Sequence, residues 1–209
     1  MTRSGSGADP DGRVAAARAL RTPAEAIAIY ATWAASYDRD VFERLGVTGT
    51  DRIADLLAEH VPDRHAAVLD VGCGTGAAGV RLRTHGFVTI DGIDISQPML
   101  DRAAATGAYR RLVAADVHEP RPVPDASYDA CVSAGTFTTG HVRPSALGGI
   151  VAALRPGAVI AWVVASAVIE EFRPALDALG LDVRHDAVEP IRRDGPPEAT
   201  MLVARLPTG

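Results

Sequence analysis

From residue 66 onward, short apolar runs alternate with stretches whose apolar residues recur at helical spacing. The runs that predict buried strands are 66–71, 87–95, 109–117, 128–135 and 158–165. The stretches that predict helices are 77–86, 96–107 (with Ser96 as its cap), 144–157 and 167–179. Because continuous apolar strands that alternate with helices are typical of a parallel sheet covered on both faces, the pattern predicts a doubly wound α/β fold.

The chain closes on two more apolar runs, 181–191 and 199–206, with only a short loop between them. Two strands joined without a helix form a hairpin, so the last strand is predicted to run antiparallel to the others. The complete pattern therefore predicts a seven-stranded, mostly parallel sheet whose last strand is antiparallel.

The residues before this alternation predict helices rather than strands. Thr22, Pro23 and Glu25 form a helix start, in which Thr22 caps the helix and Glu25 completes a capping box. Another helix is predicted at about 49–61, and the alanine-rich "RVAAARALR" suggests a short one before Thr22. The predicted divisions are a flexible N-terminus at 1–22, a helical lid at 23–62 and a core domain at 63–209.

Composition narrows the class of protein. The chain has 209 residues, a formal charge of −5 and no basic block, which indicates one globular domain and no nucleic-acid partner. Cys73 and Cys131 belong to no CxxC or Cys/His cluster, so neither a disulfide framework nor a metal site is predicted. No apolar run approaches the roughly 20 residues that cross a bilayer, and the N-terminus lacks a signal-peptide core. We expect a cytoplasmic protein with no membrane contact.

A glycine-rich turn comes directly after the first predicted strand. The segment "GCGTGA" (72–77) satisfies the dinucleotide fingerprint G-x-G-x-x-G/A, and Asp94 lies 20 residues beyond Gly74. In an open parallel sheet such a turn lies at the ligand-binding crevice outside the carboxyl ends of the strands. A nicotinamide- or flavin-dependent oxidoreductase is therefore one interpretation of the turn.

Acidic residues close three successive predicted strands. Asp70 lies two residues before the first glycine, Asp94 ends the second strand and Asp116 ends the third. A carboxylate beside a pyrophosphate would be repulsive, whereas beside an ammonium or a sulfonium it is attractive. The acids thus favour a positively charged, phosphate-free nucleoside, and S-adenosylmethionine has that chemistry.

Five motifs lie in order along the chain, at the spacing of successive strand ends. They are "VLDVGCGTG" (68–76), "GIDIS" (92–96), "AADV" (114–117), "YDACVSAG" (128–135) and "LRPGAVI" (154–160). Together they resemble the class I S-adenosylmethionine-dependent methyltransferases over roughly residues 24–205, and "WAASYD" (33–38) is similar to that family's N-terminal aromatic segment. Residues 125–142 look most like the small methyltransferase-like proteins of the Williams–Beuren region group. The resemblance implies a Rossmann-like methyltransferase fold with an N-terminal helical extension.

The resemblance implies a role for each acid and for the turn. Gly72 and Gly74 let the backbone approach the methionine end of the cofactor, while Asp70 holds its ammonium directly or through water. Asp94 bonds the two ribose hydroxyls, and Asp116 accepts from the adenine amino group. Structural alternatives stay open, because glycines also make tight turns and Asp116 can cap the next loop.

Other residues are implied to lie beside the cofactor. Val117 and Met99 pack on the two adenine faces, although Met99 is equally suited to filling the core. Tyr30, Trp33 and Tyr37 close over the sulfonium through cation–π attraction, or else simply form a small aromatic core. The remaining residues of these motifs expected at the cofactor are Cys73 (without chemistry of its own), Gly76, Ile95 and Ser133.

The acceptor side of the reaction is less defined. His141 comes after the fourth strand, and an imidazole suits proton abstraction at neutral pH, so it is the predicted catalytic base. Tyr37 and Glu170 are weaker candidates. The fourth motif lacks the Asn-Pro-Pro-Tyr type of sequence used for planar nitrogen acceptors, which favours a small molecule.

The predicted function is methyl transfer from S-adenosylmethionine to a small-molecule acceptor, most simply at oxygen, of the kind found in natural-product biosynthesis. The alternative is a methyltransferase-fold protein that binds the cofactor but acts as a cyclase, an isomerase or a binding protein. The short segment between 165 and 170 leaves little chain for a substrate insertion there. The lid must therefore come from the N-terminal helices, unless the pocket is open or shared in a homodimer.

Overall fold

The computed structural model describes residues 9–20, 22–119 and 123–208. The N-terminal third is helical, as predicted. Its helices are α1 (Pro10–Arg18), α2 (Pro23–Trp33), a π-helix (Arg39–Arg44) and α3 (Gly49–His60). Within the segment predicted to be flexible, residues 1–8 lie outside the described residues, and α1 occupies most of the remainder.

Strands and helices then alternate. The strands are β1 (Ala67–Val71), β2 (Thr89–Asp94), β3 (Arg111–Ala114), β4 (Tyr128–Phe137), β5 (Leu154–Ala165), β6 (Asp182–Pro190) and β7 (Pro197–Arg205). The helices are α4 (Ala77–Thr84), α5 (Gln97–Ala105), α6 (Leu147–Ala152, after a 3₁₀ turn at Pro144–Ala146) and α7 (Ile169–Ala178). Every strand and helix that the sequence predicts is thus present, with ends shifted by a few residues.

The seven strands form one sheet in the order β3-β2-β1-β4-β5-β7-β6. β1 to β5 are parallel, whereas β7 runs antiparallel to both of its neighbours. The predicted doubly wound sheet with an antiparallel last strand is therefore confirmed. The strand order reverses between β1 and β4, and this switch point is where an open α/β sheet leaves a crevice for a ligand.

Helices cover both faces of the sheet. α3 and α4 pack on one face, where Ile53, Leu57 and Leu82 are fully buried. α6 and α7 pack on the other, with Ile150 and Phe172 in its core. In its packing, α3 groups with the sheet, although it lies inside the predicted lid segment 23–62, because its apolar stripe belongs to the sheet's own core.

Two predicted helix caps have different outcomes. Thr22 forms the capping box: its Oγ1 accepts from the Glu25 N–H and its own N–H donates to Glu25 Oε2, both at 3.2 Å. Ser96 precedes α5 as predicted but does not cap it through its side chain, and its buried Oγ has no hydrogen-bond partner among the described residues. The Ser96 carbonyl instead accepts from the Met99 and Leu100 N–H groups, which closes the first turn.

The ring of Tyr109 occupies space left by three glycines. A Cβ added at Gly79 would lie 2.3 Å from Tyr109 Cζ, and at Gly76 and Gly92 it would lie 3.0 Å from the ring. The Tyr109 hydroxyl accepts from the Gly79 N–H at 3.1 Å and donates to Asp70 Oδ2 at 2.6 Å. The glycines therefore admit an aromatic ring that reaches beneath the turn after β1.

Replacing Gly79→Ala should destabilise the protein by about 1–3 kcal/mol, because the added methyl overpacks a ring that is held at both ends. The control is Gly148→Ala in α6, where no atom of the described residues lies within 4 Å of the new Cβ. There alanine should be neutral or stabilising by roughly 0.5–1 kcal/mol. Urea unfolding of both variants measures the difference, and equal stabilities would contradict this packing.

Candidate active site

A cavity of about 300 Å³ lies at the carboxyl ends of β1, β2 and β4. Ten of the residues predicted for the site line it: Tyr30, Tyr37, Gly72, Gly74, Asp94, Ile95, Met99, Asp116, Val117 and His141. Chain segments that are far apart in sequence therefore meet at the switch point, as the strand order requires. Asp70, Cys73, Gly76, Ser133 and Trp33 are predicted site residues that do not line it.

The backbone of the glycine turn is bonded to the protein itself. The Gly72 and Cys73 N–H groups donate to the Ile93 carbonyl at 2.8 and 3.0 Å, and the Gly76 N–H donates to the Cys73 carbonyl at 2.9 Å. The Gly74 N–H donates to Asp94 Oδ2 at 2.9 Å. A phosphate cradle needs several such N–H groups free to face the anion. This turn is therefore not built as one, which disfavours the dinucleotide interpretation.

Close packing behind the turn explains Gly72 and Ser133. A Cβ at Gly72 would lie 2.0 Å from Thr136 Oγ1, and its φ of 67° already favours glycine. Thr136 and Ser133 both donate to the Val71 carbonyl, at 3.1 and 2.8 Å. Ser133 is thus buried where β4 joins β1, and it holds the strand end rather than facing the cavity.

Asp70 lies behind the turn instead of in the cavity. Only 1% of it is exposed, and its carboxyl accepts the hydrogen bond from Tyr109. Burial raises its pKa to about 7, against the lowering effect of the Tyr109 bond. This placement does not match the direct ammonium contact predicted for Asp70. The carboxyl is hydrogen-bonded to Tyr109, whose ring fits into the space beside three glycines.

Asp94 connects the turn to the start of α5. Its Oδ2 accepts from the Gly74 N–H and its Oδ1 from the Ser96 N–H at 2.8 Å, while the half-buried side chain lines the cavity. Burial raises its pKa, although these backbone bonds act in the opposite direction. A carboxylate oxygen can accept more than one hydrogen bond, so both Asp94 oxygens have capacity for a ligand's hydroxyl groups.

Asp116 is held by a histidine that the sequence did not single out. Oδ1 accepts from the His118 N–H at 2.9 Å and from His118 Nδ1 at 2.8 Å, and His118 Nε2 accepts from the Arg143 N–H at 3.2 Å. Burial raises the Asp116 pKa, but the His118 bonds outweigh it and lower the pKa overall. Asp116 therefore does cap its loop, and Oδ2 makes no hydrogen bond to the described residues.

The remaining predicted residues either form walls of the cavity or are buried within the turn. Ile95, Met99 and Val117 form apolar walls of the cavity. The Cys73 thiol is buried, which raises its pKa well above the ordinary value, so the residue is a structural part of the turn. Gly76 begins α4 at a φ of 96°, against the ring of Tyr109.

Trp33 supports the aromatic side chains without facing the cavity. It is 3% exposed and its Nε1 donates to Asp40 Oδ2 at 3.1 Å. Asp40 is itself buried, and it also accepts from Arg13 at 3.0 Å and from Ser36 at 2.9 Å. The Trp33 ring lies 6.2 Å from that of Tyr30 and 4.8 Å from that of Tyr37, so it fixes both phenols from behind.

His141 and Tyr30 form a hydrogen-bonded pair across 111 residues of sequence. Tyr30 Oη lies 2.7 Å from His141 Nε2, and His141 Nδ1 lies 3.0 Å from the Thr139 carbonyl. A carbonyl only accepts, so Nδ1 carries the hydrogen and Nε2 of the neutral ring accepts from the Tyr30 hydroxyl. Burial lowers the His141 pKa, which keeps the ring neutral at neutral pH.

The two weaker base candidates are not supported by their surroundings. Burial, with the nearby charge of Asp94, raises the pKa of Tyr37 to about 12, so its phenol keeps its proton at neutral pH. Glu170 does not line the cavity, and its side chain is 85% exposed beside Arg173.

The N-terminal helical segment is attached to the glycine turn next to the cavity. Thr75 Oγ1 donates to Asp38 Oδ1, and Arg102 of α5 lies 3.7 Å from Asp38 Oδ2. Asp38 precedes the π-helix, so the N-terminal helices and the turn hold each other in place. No sequence pattern predicts this contact, because the partners are 37 residues apart.

The described residues offer neither a metal cluster nor a membrane span. Within those ranges, no group of three His, Cys, Asp or Glu side chains is arranged to hold a metal ion. In that same part of the chain, every helix is too short or too polar to cross a bilayer.

A second cavity of about 150 Å³ lies beneath α1 and the π-helix. Its apolar lining includes Val14, Ala17, Val41, Phe42 and Val163. The residues that line both cavities are Tyr30, Tyr37, Ala134, Gly135, Thr138 and His141. The two cavities therefore share a wall made by these six residues, three of which are aromatic, and we call this wall the partition.

The sheet order and the cavity define a Rossmann-like methyltransferase fold. The TehB-like S-adenosylmethionine-dependent methyltransferase from Corynebacterium glutamicum superposes with a TM-score of 0.66 at 22% identity, over 86% of this chain and 98% of that one. Residues 68–157 match the family model described as a methyltransferase domain. Residues 68–157 are therefore similar to a methyltransferase domain, within a fold that solved S-adenosylmethionine-dependent methyltransferases share.

Sequence relatives agree with this family. Human methyltransferase-like protein 27 is 37% identical over 139 residues, which are 65% of this chain and 56% of that protein. A malonyl-[acyl-carrier protein] O-methyltransferase from Pseudescherichia vulneris is 34% identical over 128 residues, 60% and 50% of the two chains. A bovine 18S rRNA (guanine-N(7))-methyltransferase is 39% identical over 85 residues, 40% of this chain and 29% of that one. The chain spans about half the length of the first two.

The position of Asp70 predicts how stability depends on pH. Its pKa of about 7 in the fold exceeds the ordinary value of 3.8, so the folded protein binds this proton more tightly than the unfolded chain. Stability from this group is therefore full below about pH 4 and is lost as pH rises to about 7, by roughly 4 kcal/mol at most.

Asp70→Asn keeps an acceptor for Tyr109 and cannot ionise. Urea unfolding at pH 5 and pH 8 should show a smaller loss of stability at the higher pH for this variant than for the unmodified protein. Asp101→Asn, at an exposed carboxyl on α5, should leave the pH dependence unchanged. An equal loss of stability in Asp70→Asn and in the unmodified protein would show that Asp70 does not change its protonation between pH 5 and pH 8.

Proposed function

We propose that the protein transfers a methyl group from S-adenosylmethionine to a hydroxyl oxygen of a small molecule. The observation that carries the proposal is the Tyr30–His141 pair, in which a neutral imidazole accepts a hydrogen bond at the wall of the cofactor cavity. The Pseudescherichia vulneris relative is an O-methyltransferase, which supports oxygen as the acceptor atom.

The residues of the first cavity fit the cofactor. Asp94 offers two carboxylate oxygens to a ribose diol, and Asp116 Oδ2 remains to accept from an exocyclic amino group. Met99 and Val117 supply apolar surfaces for a base. The Gly72, Cys73, Gly74 and Gly76 amides of the turn are bonded internally, which leaves fewer donors for a phosphate and suits a ligand without one. When bound, S-adenosylmethionine supplies an electrophilic methyl group.

Asp70 contributes to this site from behind the turn. Its carboxyl is separated from the cavity, so we assign it an electrostatic role rather than a direct contact. A negative charge in a poorly solvated interior acts over a longer distance than one in water. A positively charged ligand in the cavity would therefore favour the ionised form of Asp70.

His141 is the proposed proton acceptor. A hydroxyl oxygen of the acceptor loses its proton as it gains the methyl group. That proton reaches His141 Nε2 directly once the Tyr30 hydroxyl moves away, or through Tyr30, which donates its own proton to Nε2 and takes the proton of the acceptor. Tyr37 stays protonated and serves as a wall. Alignment and exclusion of water by the lid supply much of the remaining acceleration.

The alternatives predict different experiments. A cyclase, an isomerase or a binding protein would bind the cofactor without transferring its methyl group. Incubation with methyl-labelled cofactor and an extract of the source cells separates these from a methyltransferase. A labelled small molecule supports the proposal, while labelled RNA would indicate a nucleic-acid acceptor. The place in natural-product biosynthesis, the cytoplasmic location and the homodimer stay predictions.

Asp94→Ala should weaken binding of S-adenosylhomocysteine by about 1–3 kcal/mol, because charge-assisted bonds to the ribose are lost. Calorimetry measures the affinity, and Asp101→Ala, an exposed acid on the neighbouring helix, is the control. Unchanged affinity in Asp94→Ala would place the ribose elsewhere. Binding of NAD but not of S-adenosylhomocysteine would contradict the assignment of the cofactor cavity.

His141→Ala should lower turnover by roughly 10²–10⁴-fold while leaving cofactor affinity nearly unchanged, as expected for loss of a general base. In the unmodified protein the rate should fall in acid with a midpoint below 6.5, because burial lowers the His141 pKa. His65→Ala, an exposed histidine at the opposite edge of the sheet, is the control. Normal turnover in His141→Ala would exclude the proposed base.

A further inference from the structure

The second cavity is separate from the cofactor residues. It is lined neither by Asp94 and Asp116 nor by Gly72 and Gly74. Its walls come from α1, from α2, from the π-helix and from the strand ends of β5 and β7. It therefore offers a binding volume that the cofactor contacts leave unexplained.

The volume of the first cavity leaves little room for a second ligand. About 300 Å³ lies at the lower limit of small-molecule sites, which span roughly 300–1,000 Å³. A nucleoside joined to an amino acid would occupy most of that space. The acceptor must then be bound elsewhere, but within reach of the same partition.

Residues of the partition are accessible to an acceptor bound in the second cavity. Tyr30 and His141 face both cavities, so the proposed base is accessible from either side. Gly135, which also lines both, has no atom of the described residues within 4 Å of where a Cβ would stand. The end of β4 therefore leaves free space at Gly135, in the wall that the two cavities share beside the base.

We propose that the second cavity binds the acceptor and selects a neutral, ring-sized apolar molecule whose hydroxyl meets the Tyr30–His141 pair. This inference rests on the proposed function. An apolar cavity of roughly 150 Å³ in another protein stays dry and takes up benzene, so the volume matches a single ring. The lining is aliphatic and aromatic along most of its length.

Charge at the outer end of the cavity does not call for a charged ligand. Arg18 and Arg192 lie 3.8 and 3.9 Å from Glu198, and Arg192 also lies 3.4 Å from Asp11, so two guanidinium groups face two carboxylates at this end. A carboxylate on the ring would have to leave water for the apolar part of the cavity, which is costly away from the Arg192 end. The cavity thus favours a phenol over the corresponding benzoate.

Trp33 gives a direct readout of occupancy, because it lines the second cavity and not the first. The chain has two tryptophans, and the other, Trp162, is fully buried in β5 and lines neither cavity. In Trp162→Phe, loaded with S-adenosylhomocysteine, phenol should change the Trp33 fluorescence saturably, whereas benzoate should not. Calorimetry with phenol on the unmodified protein repeats the measurement without a core substitution.

A substitution that fills the second cavity tests the proposal, and the same substitution on the exposed side of the helix is its matched control. Ala17→Leu adds three carbons to a buried wall of α1 and should weaken phenol binding at least tenfold. Ala16→Leu adds the same atoms on the exposed side of that helix and should change binding less than twofold. S-adenosylhomocysteine affinity should be unchanged in both, which shows that each is folded. If Ala17→Leu fails that check, Val14→Phe takes its place.

The outcomes separate this inference from the proposed function. Methyl transfer that is equally fast in Ala17→Leu and Ala16→Leu would overturn the acceptor cavity and leave the methyltransferase intact. Saturable phenol binding that Ala17→Leu abolishes, in a protein that methylates nothing, would support the cavity and overturn the function. Equal binding of phenol and benzoate, or no binding of either, would overturn the proposed selectivity.

Discussion

The carboxylate of Asp94 holds the site together through two backbone hydrogen bonds. It accepts from Gly74 in the turn after β1 and from Ser96 at the start of α5, so the ends of neighbouring strands are fixed to each other. With the Gly72 and Cys73 amides bonded to Ile93 and the Gly76 amide to Cys73, four amides of the loop that resembles a phosphate cradle are already occupied within the protein. The turn therefore shapes a nucleoside pocket by its backbone path rather than by its dipoles.

Much of the fold could be predicted from the order of apolar runs. Seven runs, the helical spacing after four of them and the missing helix before the last predict a mostly parallel sheet whose last strand is antiparallel, although they do not predict the order of its strands. The positions of Asp94, Asp116 and His141 could be predicted as well, because each comes directly after a strand and strand ends meet at one edge. None of these placements requires knowledge of a side-chain contact.

Side-chain direction could not be predicted in the same way. Asp70 comes at a strand end like the other acids, yet Tyr109, 39 residues later, binds it from beneath the turn. The expected repulsion between Asp70 and a phosphate predicts the right class of cofactor, but it is only part of the reason. The stronger reason is that amides of the turn are already hydrogen-bonded within the protein. Likewise, Trp33 faces inward because Asp40, a buried acid seven residues on, accepts from its indole.

The N-terminal helices and the sheet contribute differently to the site. Most of the residues suited to the cofactor lie at the carboxyl ends of the strands, whereas Tyr30 and half of the residues that line the second cavity precede β1. The two parts meet at a few contacts, among them Thr75 with Asp38 and Tyr30 with His141.

The two cavities differ in how far substitutions in each can act. Val14 and Ala17 of α1 line the second cavity and not the first, and α1 packs outside the two clusters that cover the sheet. Changes at these two positions therefore alter the second cavity without touching the strand-end loops, so the proposed acceptor preference is separable from the cofactor residues.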